Sequence, residues 1–196
     1  MNSLVPETNL KRVLIVGGGF GGIQLAKKLD KKKYQVVMID RNNYHTFQPL
    51  LYQVATGGLE PDSIAYPIRK IFPGKGNIIF RLAEALEVKT GEHILVTDLG
   101  ELKYDHLVLA TGSTTNFFGN KEIEANAMTL KSVTGALDLR SLILQNLEKV
   151  LIENEPAQRA KHLNLVIVGG GPTGVEIAGA LAELKKHVLP SDYPEL

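Results

Sequence analysis

At 196 residues the chain permits one large domain or two small ones, and its 44% hydrophobic and 22% charged content is ordinary for a globular α/β protein. A formal net charge of +1 gives no reason to expect nucleic acid or a polyanionic partner. There is no cysteine, hence no disulfide and no thiol pair, and the five histidines (His45, His93, His106, His162, His187) lack metal-ligand spacing, so no metal is expected.

The first predicted strand, Arg12–Val16, runs into Gly17-Gly18-Gly19-Phe20-Gly21-Gly22, a G-x-G-x-x-G fingerprint. Gly17 permits a tight turn out of the strand, Gly19 lets a pyrophosphate approach the backbone, and Gly22 lets the helix pack close to the strand. The helix that follows, Gly21–Leu29, offers its N-terminus to the phosphates and Ile23, Leu25, Ala26 and Leu29 to a core. Lys27, Lys28, Lys31, Lys32 and Lys33 form a solvated face that suits a helix C-terminus. A second apolar strand, Gln35–Ile39, ends at Asp40, 18 positions past Gly22 (40 − 22), near the ~20 expected for a ribose-binding carboxylate. Its plainer role is to cap a turn at the strand end.

Residues 40–59 are rich in Asn, Pro, Gly and planar side chains, which predicts an irregular excursion lining a ligand. Strands are expected at Asn77–Leu82, Ala85–Lys89 and His93–Thr97, with hairpin signals over Gly91–Gly100, together forming an inserted antiparallel meander. A further buried strand, His106–Ala110, leads into Thr111-Gly112-Ser113, where open α/β sheets bind ligands. Ser132 is the candidate N-cap of a helix reaching Asn154, with Leu137, Leu144, Leu147 and Leu151 as its core stripe. A polar linker reaches His162. Then Leu165-Val166-Ile167-Val168 enters a second fingerprint, Gly169-Gly170-Gly171-Pro172-Thr173-Gly174, and a helix Thr173–Lys186. The two fingerprints stand 152 residues apart (169 − 17). Two dinucleotides in one protein is the arrangement needed to pass a hydride between cofactors. The acid that would end the next strand is not among these residues, so the chain is expected to stop inside its second nucleotide domain.

Gly17–Gly22, Asp40, Ala110-Thr111-Gly112 and Gly169–Gly174 together resemble the flavin-dependent pyridine-nucleotide oxidoreductases. Within that superfamily, the run from Asn43-Tyr44-His45-Thr46-Phe47-Gln48-Pro49 to Thr56-Gly57, with Gly169-Gly170-Gly171-Pro172-Thr173-Gly174-Val175-Glu176, resembles the type II NADH dehydrogenases, the single-subunit NADH:quinone oxidoreductases. The resemblance covers nearly the whole chain. It implies a Rossmann-like FAD-binding domain over residues 1–130, a parallel sheet carrying the meander. A connecting helix and linker would span residues 131–158. Residues 159–196 would be the first βα unit of a truncated, Rossmann-like NADH-binding domain.

Carried over by motif, Gly17, Gly18, Gly19, Phe20 and Gly21 would hold the FAD pyrophosphate, and Asp40 the ribose, with Arg41 beside the adenosine. Ala85 would offer backbone contacts to adenine, Thr111 and Gly112 would approach the pyrophosphate and the isoalloxazine side, and Gln48 and Pro49 would lie along the flavin. Gly169, Gly171, Thr173 and Gly174 would hold NADH, and Glu176 would sit where nicotinamide meets flavin, as the catalytic residue. The absence of cysteine excludes the disulfide reductases of the superfamily and disfavours its sulfide:quinone oxidoreductases. What remains is a non-proton-pumping respiratory flavoprotein with quinone as electron acceptor, a homodimer on the inner face of the cell membrane, held there by a C-terminal region outside these residues. The fragment alone is expected to be inactive. Two alternatives stand beside this: a reductase of a small iron–sulfur or rubredoxin-like protein, and a nucleotide-binding protein without turnover. No apolar run reaches the ~20 residues of a membrane span, and residues 1–11 lack a secretory core, so the chain itself is expected to be cytoplasmic.

Overall fold

Val13-Leu14-Ile15-Val16 closes β1 (Lys11–Val16), and all four side chains are buried. Continuous burial means that both faces of the strand are covered, the environment of a parallel sheet. The computed structural model describes residues 4–74, 76 and 78–196. After β1 come α1 (Phe20–Lys28), β2 (Tyr34–Asp40), β3 (Tyr44–Thr46), a 3₁₀ turn Gln48–Leu50 leading into α2 (Leu51–Ala55), and a second 3₁₀ turn Pro61–Ser63. The chain continues through β4 (Ala65–Pro67), α3 (Ile68–Ile71), β5 (Ile78–Leu82), β6 (Ala85–Lys89), β7 (Ile94–Thr97), β8 (Gly100–Lys103) and β9 (His106–Leu109). Beyond these lie α4 (Lys121–Asn126), α5 (Val133–Ile152), α6 (Pro156–Leu163), α7 (Pro172–Glu183), a π-helical turn Leu184–Val188 and α8 (Leu189–Asp192).

These elements form two compact units. The first holds the residues up to Thr46 and Ala65–Ser113; the second holds Phe47–Ile64 and Thr114–Leu196. The first unit is built on a four-stranded parallel sheet in the order β5-β2-β1-β9. Strand side chains alternate between two cores. Val13, Ile15, Val36, Met38 and Phe80 meet Ile23 and Ala26 of α1, with Ile68 of α3 and Phe72 after it. Leu14, Val16, Val37 and Ile39 meet Leu95 and Leu102 of a three-stranded antiparallel sheet, β6-β7-β8. Helices thus cover one face of the central strands and a meander the other, while β9, expected to be a buried strand, is only partly covered and its Leu109 is 65% exposed.

The expected meander is present with a different membership. Residues 78–82 pair parallel with β2, from Val36↔Ile78 to Asp40↔Leu82, and the meander's third strand is β8. Asn77, the expected start of β5, lies outside the described residues. The turn before β8 is closed by the Thr97 hydroxyl, which donates to Gly100 O (2.7 Å) and accepts from Leu99 N–H (3.2 Å). A two-residue turn is enough to reverse the chain, so β8 needs no Asn-Gly signal to announce it.

The second unit is helical among its described residues. Leu51, Val54 and Ala55 of α2 bury against Ile64, Ala136 and Ile177. Ser132 caps α5 as expected, its Oγ accepting from Gly135 N–H (3.0 Å). The buried stripe of α5 is Ala136, Ile143, Leu147 and Val150; Leu137, Leu144 and Leu151 are exposed. The expected stripe is therefore displaced by one residue and shares only Leu147. The supposed linker contains α6, which Pro156 starts from its first turn, where a missing N–H costs nothing. Leu165–Val168 is not a strand: it joins no ladder among the described residues, and Val166 is 86% exposed. A parallel strand needs a hydrogen-bonding neighbour, and the described second unit contains no strand to supply one.

Candidate dinucleotide sites

The strand order places β1 between β2 on one side and β9 on the other. The chain moves outward in opposite directions from β1, so a crevice opens at the carboxyl ends of β1 and β9. The first fingerprint lies there. Gly17 donates its N–H to Ile39 O (2.7 Å) and adopts φ +113°, a conformation that favours glycine. A β-carbon at Gly17 would fall on the Ala110 carbonyl, with Thr111 N at 3.1 Å. That contact sets Ala110-Thr111-Gly112 directly beside the fingerprint. A β-carbon at Gly22 would fall on the Gly17 carbonyl, so the helix start can approach the strand only with glycine there. By contrast, β-carbon positions at Gly19 and Gly21 meet nothing within 4 Å. The backbone at Gly19 and Gly21, at the mouth of α1, is therefore open on that side, and a helix start of this kind suits an anionic group.

Asp40 ends β2 at the same edge. Its Oδ2 accepts Gly18 N–H (2.6 Å) and its Oδ1 accepts Asn42 N–H (2.7 Å). The two readings of this acid are compatible: it does cap a turn, and a carboxylate has about four acceptor positions, so capacity remains for a ribose diol. Arg41 follows, exposed. The backbone of Asp40 also accepts Ala83 N–H (3.1 Å), which carries the start of β6 to this edge; Ala85 opens that strand, half-buried, opposite Thr97. Gly17, Gly18, Gly19, Phe20, Gly21, Asp40, Arg41, Ala85, Thr111 and Gly112 thus all belong to the first unit. Gln48 and Pro49 belong to the second, in the exposed 3₁₀ turn before α2.

Two residues that the fingerprint pattern does not include also touch the loop. His45 on β3 places Nδ1 3.1 Å from Gly18 O and sets its ring edge-on to Phe20, with centroids 4.8 Å apart at 85°. Ile68 lies beneath the loop, its Cδ1 2.5 Å from where a Gly18 β-carbon would be. His45 was visible in sequence only as part of a loop crowded with planar side chains.

The second fingerprint repeats the backbone turn of the first, although β-carbon positions at Gly169 and Gly170 meet nothing within 4 Å where those at Gly17 and Gly18 meet Ala110 and Ile68. Gly169 has φ +113°, a β-carbon at Gly174 would fall on the Gly169 carbonyl, and Ile167 Cγ2 lies 3.5 Å from that position. The corresponding approach of Ile15 to Gly22 is 3.2 Å. Gly171 precedes α7 and its carbonyl accepts Val175 N–H (3.1 Å), as Gly19 accepts Ile23 N–H (3.0 Å). Space beside Gly170 and Gly171 is open, and Thr173 is exposed in the first helical turn. Glu176 is exposed one turn on, while its neighbour Ile177 is buried and fixes which way the helix faces. Glu176 lines a cleft of about 530 Å³ with Tyr52 and Gln53 from α2, Thr56 just after it, and with Glu183 and His187. His187 belongs to the π-helical turn, an irregularity that recurs at functional sites.

The comparisons with known proteins agree with this geometry. The family model described as pyridine nucleotide-disulphide oxidoreductase matches residues 11–190. The chain is similar to the type II NADH:quinone oxidoreductase Ndh of Mycobacterium tuberculosis, at 40% identity over 186 residues, covering 93% of this chain and 40% of that protein. It is 30% identical over 207 residues to an external alternative NADH-ubiquinone oxidoreductase of Yarrowia lipolytica mitochondria, covering 100% of this chain and 36% of that protein. Among solved structures, NDH2 from Plasmodium falciparum in complex with NADH superposes with a TM-score of 0.87 at 30% identity, covering 94% of this chain and 39% of the other. The chain therefore spans about two fifths of the length of these relatives. With two congruent fingerprint turns and a family match running through both, the chain belongs to the pyridine nucleotide-disulphide oxidoreductase family.

Proposed function

We propose that the chain is the nucleotide-binding portion of a FAD-dependent NADH:quinone oxidoreductase that does not pump protons. The observation that carries this reading is the pair of congruent fingerprints, with a ribose-type carboxylate beside the first. FAD, when bound, supplies the redox chemistry: it takes a hydride from NADH and gives electrons to the quinone. The protein's share is placement. Gly17–Gly21 present the loop and helix start to the FAD pyrophosphate, Asp40 accepts from the ribose, and Arg41 and Ala85 flank the adenosine. Thr111, Gly112, Gln48 and Pro49 line the rest of the flavin nucleotide. Gly169, Gly171, Thr173 and Gly174 receive the NADH pyrophosphate, and Glu176 orients the nicotinamide by hydrogen bonding. Quinone as acceptor is supported by the similar proteins of Mycobacterium tuberculosis and Yarrowia lipolytica, an NADH:quinone and an NADH-ubiquinone oxidoreductase. A homodimer held on the cytoplasmic face of the membrane, through sequence outside these residues, completes the proposal; among the described residues no helix is long and apolar enough to cross a membrane.

The test uses the full-length protein. It is expected to purify yellow, to lose flavin absorbance when NADH is added without oxygen, and to regain it on adding a soluble quinone. No bleaching by NADH sinks the enzyme reading. Bleaching followed by reoxidation with rubredoxin but not quinone moves the protein to the alternative reductase class.

A further inference from the structure

We propose that His45 is a positioning residue that aims the first fingerprint at its nucleotide; the proposal rests on the reading that this fingerprint takes FAD. The peptide joining Gly18 to Gly19 lies at the mouth of the loop. A peptide unit is planar and trans, so the Gly18 carbonyl and the Gly19 N–H point in opposite directions. Between two glycines such a unit can flip cheaply, since each tolerates either sign of φ. Something must therefore choose its direction.

Asp40 holds the peptide on the other side of Gly18, through the Gly18 N–H (2.6 Å). The Gly18 carbonyl is held by His45, whose Nδ1 lies 3.1 Å away. A carbonyl only accepts, so Nδ1 carries the proton and donates. With the carbonyl turned toward His45, the Gly19 N–H points away from it, to the side of the loop that an anion can reach. His45 is itself well anchored. It pairs with Tyr66 in the short β3–β4 ladder, and Ile68 N–H closes that hairpin onto Asn43 O (2.9 Å). The edge-on contact with Phe20 fixes the ring plane. The hairpin, which contributes no strand to the parallel sheet, thus serves as a bracket for the loop.

The test is made on the full-length protein, with FAD as the probe. In His45→Asn the amide Nδ2–H takes the place of Nδ1–H; His45→Leu keeps bulk and loses the donor. FAD is titrated into each apo-protein, and the ³¹P spectrum of the bound pyrophosphate is recorded. His45→Leu is expected to weaken FAD about tenfold, the scale of one lost hydrogen bond, and to shift the bound phosphorus resonances. His45→Asn is expected to restore both. Unchanged affinity and resonances in His45→Leu overturn the proposal, as does equal loss in both variants. Should His45→Leu not fold, ¹⁵N-histidine spectra of the parent decide: a protonated Nδ1 supports the proposal and an unprotonated Nδ1 overturns it. A parent that binds no FAD removes the functional reading itself, whereas a parent that binds FAD beside an unaffected His45→Leu removes only the role of His45.

Discussion

Asp40 shows how one side chain can serve the fold and a ligand together. Its two oxygens hold Gly18 N–H and Asn42 N–H, so removing it loosens the loop as well as taking away a ribose acceptor. Asp40→Ala is expected to weaken FAD by about 1.5–3 kcal/mol, the scale of a hydrogen bond to a charged group. Titration of the apo-protein measures it, and unchanged affinity reduces Asp40 to a turn residue. Glu176 separates binding from turnover. It is exposed at the cleft between α2 and α7, with no structural partner among the hydrogen bonds and ion pairs described. Glu176→Gln is expected to leave FAD bound and slow flavin reduction by NADH by roughly ten- to a thousand-fold. Stopped-flow at the flavin absorbance reads that step; a parental rate at saturating NADH ends the catalytic assignment. Asp40 was legible in sequence because strand, acid and spacing coincide. His45 was not assigned a role, because its contact with Gly18 depends on a hairpin that brings together residues 27 positions apart.

Glycines of the same motif do different work within one strand–turn–helix element. At Gly22 an added methyl meets the Gly17 carbonyl, while at Gly19 it meets nothing within 4 Å. Gly22→Ala is expected to disturb the turn even without a cofactor, lowering the melting temperature of the apo-protein. Gly19→Val is expected to leave that melting temperature nearly unchanged while abolishing flavin binding. If Gly19→Val keeps full flavin occupancy, the pyrophosphate lies elsewhere. Helix α5 offers a second contrast. Ile143 is buried and Leu144 is 43% exposed. Ile143→Ala is expected to cost about 2–5 kcal/mol, and Leu144→Ala under about 1 kcal/mol, in denaturant melts of this chain. The reverse order would restore the stripe expected from sequence. That stripe failed for a physical reason: at a period of 3.6, leucines at strict seven-residue spacing (137, 144, 151) mark a face, but small and β-branched neighbours (Ala136, Ile143, Val150) mark the adjacent one equally well, and only the surfaces packed against the helix decide, α2 being the one at Ala136. The membership of β5 was missed similarly. A short apolar run reads alike in a parallel sheet and in a meander.

At the scale of the whole chain, the two fingerprints were legible because each is encoded within a few residues. The sheet around the first was legible in outline. The state of Leu165–Val168 was not, because a strand is a relation between segments and its residues name only one side of it. The second turn reproduces the first, φ +113° included, although no ladder flanks it. The turn is therefore a local product, closed between residues five apart (22 − 17 and 174 − 169), and such contacts form early and at small entropic cost. The sheet is not local. β1 acquires β2 from the next segment, but its other edge must await His106, 93 positions after its partner Val13 (106 − 13). During synthesis from the N-terminus, the first turn is thus complete while one side of β1 still shows an unpaired edge. That edge of β1 is covered only when β9 docks, and with it Ala110 arrives against Gly17.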